Sequence, residues 1–496
     1  MTQRIDRRGF LILGAGAVGA ASLLAACGGG SAPTASSGSS SAASAAAPAT
    51  SAAATSAAAT SAAASSAAPA EPTAAVQNPA KARVTLRLMK FAGVGWEQDD
   101  RATDLFRKAH TDIAVNVEPT VYGEMFQKCL TLGAAGNLGD LYAGHNKWMP
   151  QLQYKGISLD LNALVAQNSS KINFGDFFPS VIADAKGIGA DGKLYTFPTI
   201  VHPGGNAIVL VNMDLLKKAN VDPPKDNNWT INDLEQIVRK AASPKDGIFG
   251  TQVTYSSPLY ADQVTRSWGS DPKVGSEDAW LLSKDGKKEQ LSSPAVKTSF
   301  EWYWQLIKAG LVPTSSDAPP NTPGGDFFTA GKLVTQGAIV GQYIADTHVI
   351  NGKFDMQAFL WPLGPHGYRG SCLSYNTYAV YSKTKNPDEA FLLLDQLTNT
   401  DTGVWAASLG NSNPYARKSV WSTPDLWKAS PITKAAGEWL STGVDPFPQP
   451  DNLRFSEWLD AWGQHTSKYL DAKETWDQMY ASTQTACQNI LDQPRP

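Results

Sequence analysis

From residue 28 to residue 80 the chain is almost wholly glycine, alanine, serine, threonine and proline, and Glu71 is its only charge. Within it, "SAAATSAAATSAAASS" (residues 51–66) repeats a five-residue unit. Such a stretch cannot bury enough apolar surface to offset the entropy of ordering. It reads as a flexible tether over residues 27–80, with a root-mean-square span of roughly 40 Å. Everything that folds must therefore come from residues 81–496, a length that suits two domains.

What precedes the tether supports two readings. Gly14, Gly16 and Gly19 spell G-x-G-x-x-G directly after an apolar run, the pattern that grips a dinucleotide pyrophosphate. That reading needs a βαβ unit and an acidic residue about 20 positions on. The next acidic residue after Gly19 is Glu71, and no second strand intervenes. The export reading fits its neighbours. Arg4, Arg7 and Arg8 give a positive start, and residues 10–26 give an apolar run interrupted by glycines. Arg7 and Arg8 sit in D-R-R-G-F-L, similar to the twin-arginine motif of folded-protein export. Leu24-Ala25-Ala26-Cys27 resembles a bacterial lipobox. The expectation is a signal peptide over residues 1–26, removed to leave Cys27 as the lipidated N-terminus.

The chain carries 42 Lys+Arg and 45 Asp+Glu. Residues 1–26 hold three of the Arg and one Asp, so the remainder has 39 against 44, a formal charge of −5. No long basic run is present, and no nucleic-acid partner is expected. Beyond the signal no stretch of about 20 apolar residues occurs, so the body is expected to meet the membrane only through its lipid. Cys129, Cys372 and Cys487 are isolated, with no C-x-x-C. Buried free thiols are the plainer reading, and one disulfide among the three stays open.

The body alternates strand and helix patterns. "RVTLRLMKF" (residues 83–91) and "DIAVNVEPT" (residues 112–120) alternate apolar and polar positions, with a helical spacing between them at Ala102, Leu105, Phe106 and Ala109. "LYTFP" (residues 194–198) and "AIVLVN" (residues 207–212) read as further strands. Thr230 with Asp233 forms a capping-box signal, Ser293-Pro294 opens a helix with one apolar face, and Asn386-Pro387 opens another. Strands alternating with helices predict an α/β architecture.

The order of these pieces resembles the extracellular solute-binding proteins of ABC importers, the group that binds sugars and oligosaccharides. The stretches that carry it are "VEPTVYGEMFQKCL", "GNLGDLYAGHNKWMPQLQYKGISLDL", "DGKLYTFPTIVHPGGNAIVLVNMDLLKKANVDPPKDNNWT", "FFTAGKLVTQGAIVGQY", "YAVYSKTKNPDEAFLLLDQLTN" and "LGNSNPYARKSV". Gly139 stands where the family commonly has proline. The resemblance implies a two-lobed periplasmic-binding-protein type II fold with a multi-strand hinge. One lobe would take residues 81–199 plus 372–412 and the other residues 200–371 plus 413–496. The chain would cross near residues 199–204, 368–375 and 411–415. Ligand would lie between the lobes, which close over it. The protein would be a monomer that hands its sugar to an ABC permease.

A sugar presents apolar C–H faces and a ring of hydroxyls, so its site needs flat aromatics and short polar side chains. Candidates lie in loops that follow strands: Trp96 after the first strand; His145, Asn146, Lys147 and Trp148 in the loop that the resemblance assigns to ligand; His202 at the first crossover; Gln342 and Tyr343 after Gly341; Tyr375 and Asn376 at the second crossover; Asn411 and Asn413 around the third. Trp268 reads as core packing and Asp140 as a loop anchor. Catalytic motifs fail. "GIGADGKL" (residues 187–194) lacks the Ser/Thr of a P-loop at Leu194 and reads as a turn between strands. No H-E-x-x-H, EF-hand or G-x-S-x-G occurs. No metal, no cofactor and no catalytic group is expected, while twin-arginine export, which follows folding, leaves a bound metal or cofactor open. The alternatives are a secreted carbohydrate-active hydrolase, whose carboxylate pair only the fold would bring together, and an adhesive surface protein.

Overall fold

The computed structural model describes residues 82–93, 96–169, 172–189, 191–271, 277–314, 317, 327–409 and 414–496. The expected signal with Arg7 and Arg8, the tether with Cys27, and Asn411 and Asn413 lie outside these residues.

Apolar alternation places β1 (Val84–Phe91) where expected, followed by α1 (Glu97–Ala109), β2 (Ile113–Thr120) and α2 (Tyr122–Ala134). The buried face of α1 comes from Ala102, Thr103 and Phe106. Three acidic residues in its first turn and Arg107 with Lys108 in its last suit the helix dipole. Then come β3 (Leu141–His145), α3 (Met149–Tyr154), α4 (Asn162–Gln167), α5 (Pro179–Gly187) and β4 (Phe197–His202). The next group is β5 (Ile208–Asn212), α6 (Met213–Ala219), α7 (Ile231–Ala241), β6 (Phe249–Gln252), α8 (Pro258–Thr265), α9 (Pro294–Lys308), β7 (Leu333–Ala338), α10 (Gln342–Ile350) and β8 (Met356–Leu360). The chain ends with β9 (Ser374–Val380), α11 (Pro387–Thr398), α12 (Thr400–Leu409), α13 (Lys418–Trp421), α14 (Pro424–Ala429), α15 (Ile432–Ser441), α16 (Phe455–Leu470) and α17 (Trp476–Leu491).

The strands form two sheets. The first has the order β2-β1-β3-β9-β4 and the second β6-β7-β5-β8. β1 pairs in parallel with β2 and β3, and β9 is antiparallel to both β3 and β4. The segments that run between the sheets touch one another. Cys372 N donates to Pro203 O at 2.8 Å, Leu373 N to Asp445 O at 2.9 Å and Val201 N to Pro414 O at 3.1 Å. One large hydrophobic cluster takes residues from both sheets and from α16 and α17. There Trp458 and Trp462 stack, and Phe300 of α9 meets Trp462, Tyr469 and Trp476.

Several local expectations hold. Thr230 and Asp233 close the capping box of α7, worth about 1 kcal/mol. Val296, Phe300, Tyr303 and Ile307 of α9 are buried. Asp140 anchors its loop through Arg87 N and the Thr384 hydroxyl. Trp268 packs on Trp302 at 5.4 Å. Cys129, Cys372 and Cys487 are buried free thiols, and burial pushes the Cys129 and Cys372 thiols up to about 12.

Others are corrected. "LYTFP" is not a strand from its start, because β4 begins at Phe197. Leu194 O is taken by Leu161 N, and the Tyr195 hydroxyl turns back to Asp191 at 2.7 Å. The Asp191-Gly192 turn joins α5 to β4, not two strands. Gly192 has φ of 72°, and Lys193 N donates to the Asp191 carboxylate. Ser293 precedes α9 without capping it, since its hydroxyl is spent on Asp278 O.

Candidate functional site

The ends of β1, β2 and β3 supply an aromatic wall. Phe91 closes β1, and its ring lies 4.6 Å from Trp96 and 5.0 Å from Tyr122. Trp148 sits 5.0 Å from Tyr122, 5.8 Å from Phe126 and 5.6 Å from His145. These spacings are those of favourable aromatic pairs. Trp96 and Trp148 are therefore both members of the wall, held by neighbours and almost fully buried. Behind Trp96, the Lys90 ammonium donates to Trp96 O at 3.2 Å and pairs with Asp100 at 2.7 Å. Asp99, also buried there, accepts from the Tyr378 hydroxyl at 2.7 Å. Burial outweighs that bond and Lys90, and raises the Asp99 carboxyl to about 7.

A polar centre adjoins the wall. His145 is buried, not an ordinary surface histidine. Its Nδ1 accepts from Lys147 N at 3.2 Å, which leaves Nε2 to carry the proton toward Ser374 Oγ at 3.0 Å. Burial, then Lys147 and His202, hold this imidazole neutral, well below its ordinary range. Asn146 N donates to Tyr375 O, and Asn146 Nδ2 donates to Asp184 of α5 at 2.9 Å. Asn146 Oδ1 is buried without a partner among the described residues. His202, at the end of β4, pairs with Ser374 of β9. Burial lowers it to about 4 against the pull of the Gly204 backbone, and its Nδ1 has no partner in hydrogen-bond geometry among the described residues. The Tyr375 hydroxyl meets no partner in hydrogen-bond geometry, yet the nearby Asp184 charge adds to the burial that holds it protonated. Asn376 stands opposite His145 across the β3–β9 pair. Lys147 is buried and donates to Phe447 O at 2.9 Å.

Eight of the expected residues thus converge: Trp96, His145, Asn146, Lys147, Trp148, His202, Tyr375 and Asn376. Gln342 and Tyr343 open α10, and Gln342 Nε2 donates to Asp346 at 2.9 Å. Among the described residues they make no hydrogen bond or ring contact with this centre. The structure adds Tyr122, Asp184, Ser374 and Tyr260. Tyr260 of α8 presents its ring edge-on to His202 at 6.3 Å. It lies so close to the crossover that a Cβ on Gly205 would stand 1.9 Å from the ring. Tyr122 was visible as the aromatic before a helix in "VEPTVYGEMF". Asp184 gave no signal, because it reads as one more polar position on a helix.

Two surface grooves lie elsewhere. One of about 440 Å³ is lined by Phe174, Phe177, Ile182 and Lys418. The other, about 420 Å³, is lined by Phe126, Leu130, Lys155 and Arg454. Neither contains His145, Asn146 or His202.

Comparison with known proteins decides the family. The pattern described as bacterial extracellular solute-binding protein matches residues 69–404, more than half of the chain. The chain belongs to that family. A protein of Brucella abortus (strain 2308) whose name calls it a binding protein is 25% identical over 317 residues, 62% of this chain and 70% of the relative. Among solved structures, an ABC substrate-binding protein from Listeria monocytogenes in complex with cycloalternan superposes with TM-score 0.66 at 18% identity, covering 82% of this chain and 97% of that one. The GacH receptor of Streptomyces glaucescens, solved unliganded and with acarbose, gives TM-score 0.67 at 15% identity, covering 83% and 99%. A maltose/maltodextrin-binding domain from Bdellovibrio bacteriovorus bound to maltotriose gives 0.64 at 17%, covering 82% and 100%. The likeness to these structures establishes the mixed α/β, two-lobed type II fold. The family assignment makes the chain a solute-binding protein. No helix among the described residues is long and apolar enough to cross a membrane.

Proposed function

We propose that this chain captures a sugar or oligosaccharide between two lobes and delivers it to an ABC permease. One lobe takes residues 81–199 plus 372–412 around the first sheet, and the other residues 200–371 plus 413–496 around the second. The observation that carries the reading is the wall of Trp96, Tyr122 and Trp148 beside Asn146 Oδ1, His202 Nδ1 and the Tyr375 hydroxyl, buried polar atoms with no partner in hydrogen-bond geometry among the described residues. Each such group costs about 1–3 kcal/mol while unsatisfied. A ligand with vicinal hydroxyls offers both donors and acceptors to them, and its C–H faces suit the rings. The solved relatives with cycloalternan, acarbose and maltotriose support the same ligand class. Asn411 and Asn413 belong to the third crossing of this reading, and Gln342 and Tyr343 to the far wall.

Isothermal calorimetry of the full chain against mono-, di- and oligosaccharides, with mannitol as a polyol, tests the proposal. Saturable binding of at least one supports it. Binding of none, or steady release of shorter sugars during incubation, refutes it, the second outcome favouring a hydrolase. We further propose that the Arg7-Arg8 signal exports the chain and that Cys27 carries the lipid holding the monomer at the outer face of the cell membrane. Cys27→Ala should move the protein from the membrane fraction to the soluble fraction, and unchanged fractionation refutes the anchor.

A further inference from the structure

Three successive carbonyls at the junction of the two sheets are held by two buried cations. Arg266, which follows α8, donates Nη1 to Asp445 O at 3.2 Å and Nη2 to Pro446 O at 3.0 Å. Lys147, which follows β3, donates Nζ to Phe447 O at 2.9 Å. Arg266 is itself fixed. It pairs with Asp262 at 2.6 Å, lies 4.0 Å over the Trp280 ring, and Asp262 in turn accepts from Leu281 N at 2.8 Å. The Phe447 ring packs on Phe455 and Trp458 of α16, so the strap of residues 445–447 travels with the C-terminal helix pair. Those helices pack against α9 beside Arg266.

We infer that Lys147 is a closure latch, a positioning residue whose bond to Phe447 O ties the His145–Trp148 loop of the first lobe to a strap fixed in the second. The inference rests on the two-lobe reading above. The Arg266–Asp262 pair neutralises itself, and among the described residues Lys147 makes no ion pair with a carboxylate. Its ammonium donates to the Phe447 carbonyl and lies 5.8 Å from the Phe447 ring, and the nearby Asp184 and Asp262 charges partly offset its burial. Burial accordingly weakens its hold on the proton. The strap is pinned to the second crossing at its first residue, where Leu373 N donates to Asp445 O at 2.9 Å, so separation of the lobes would stretch the Lys147 bond at its third residue and hydrate the ammonium. Arg266 and Asp262 act on the latch from behind, by aiming the carbonyl that Lys147 receives. The device couples capture to closure: the backbone that carries Asn146 and Trp148 is set in place by the contact that shuts the lobes.

The test uses the full chain with Cys27→Ala and spin labels at Gln127→Cys and His348→Cys, exposed positions on α2 and α10. Double electron–electron resonance reads the distance between the labels without any ligand. Lys147→Met keeps the aliphatic stem and removes the charge. It is expected to shift the population toward longer distances, lowering the ratio of closed to open by roughly tenfold or more. Lys147→Arg, which keeps a donor for the carbonyl, is expected to restore the wild-type distribution and guards against a folding defect in the first variant. Identical distributions in wild type and Lys147→Met overturn the latch, and Lys147 then acts as a ligand contact or a packing residue. Because the readout needs no sugar, failure of every sugar to bind would refute the ligand class and leave the latch standing.

Discussion

Asp99→Asn offers the sharpest probe of the environment behind the aromatic wall. The carboxyl is raised from its ordinary 3.8 to about 7, chiefly by burial, with the Tyr378 hydroxyl and Lys90 pulling the other way. At about 1.4 kcal/mol per pH unit, the displacement makes about 4 kcal/mol. The folded chain binds this proton more tightly than the unfolded chain. Its contribution to stability is therefore full below about pH 4, is lost as pH rises through about 7, and changes no further above that. Asparagine keeps the volume and keeps an oxygen for the Tyr378 hydroxyl, but it cannot titrate. Urea unfolding followed by tryptophan fluorescence, at pH steps from about 4 to about 8, should give a wild-type curve that falls more steeply than that of Asp99→Asn. The gap between the two should change by a few kcal/mol across the window. Other raised groups contribute equally to both proteins and cancel. Parallel curves would mean that Asp99 is solvated in the folded chain, and the reasoning from burial would fail.

Glu289 follows the same sign in a different region. Burial beside Trp458 lifts it from 4.5 to about 8, so Glu289→Gln should gain stability over wild type as pH rises toward about 9 and gain nothing near pH 4, by the same unfolding measurement. Gly205→Ala should displace the Tyr260 ring, because the added carbon would stand 1.9 Å from it. Calorimetry with whichever sugar binds should show a loss of roughly threefold to tenfold in both Gly205→Ala and Tyr260→Ala. Unchanged affinity in both would remove Tyr260 from the site.

The sequence carried the outer architecture better than the centre. β1 was legible because Thr85 and Arg87 face outward between buried Leu86 and Leu88, β2 because Ile113, Val115 and Val117 alternate in the sequence although Ala114 is buried too, and α7 because Thr230 and Asp233 are a local device that needs no tertiary context. β9 was legible only as a crossing. All seven of its residues are buried, with Ser374, Asn376 and Thr377 among them, so no alternation marks the strand. The site loop after β3 could be located because polar and aromatic residues follow a short apolar run. What each residue does there could not be read. Lys147 looked like a ligand donor until the Phe447 carbonyl, 300 residues away, was seen to hold it. Asp184 and Tyr260 were invisible for the same reason: their meaning lies in what the fold sets beside them.

The position of β9 bears on how the chain is made. β3 and β4 are in place by residue 202, yet the strand that joins them is β9, which comes after the whole second sheet. Until residues 374–380 have left the ribosome, β3 and β4 have no common neighbour and each keeps an open edge. The first sheet is thus started early in synthesis and completed late, and a chain broken anywhere in the second sheet leaves both damaged. Integrity of the first sheet becomes a report on the length of the chain behind it.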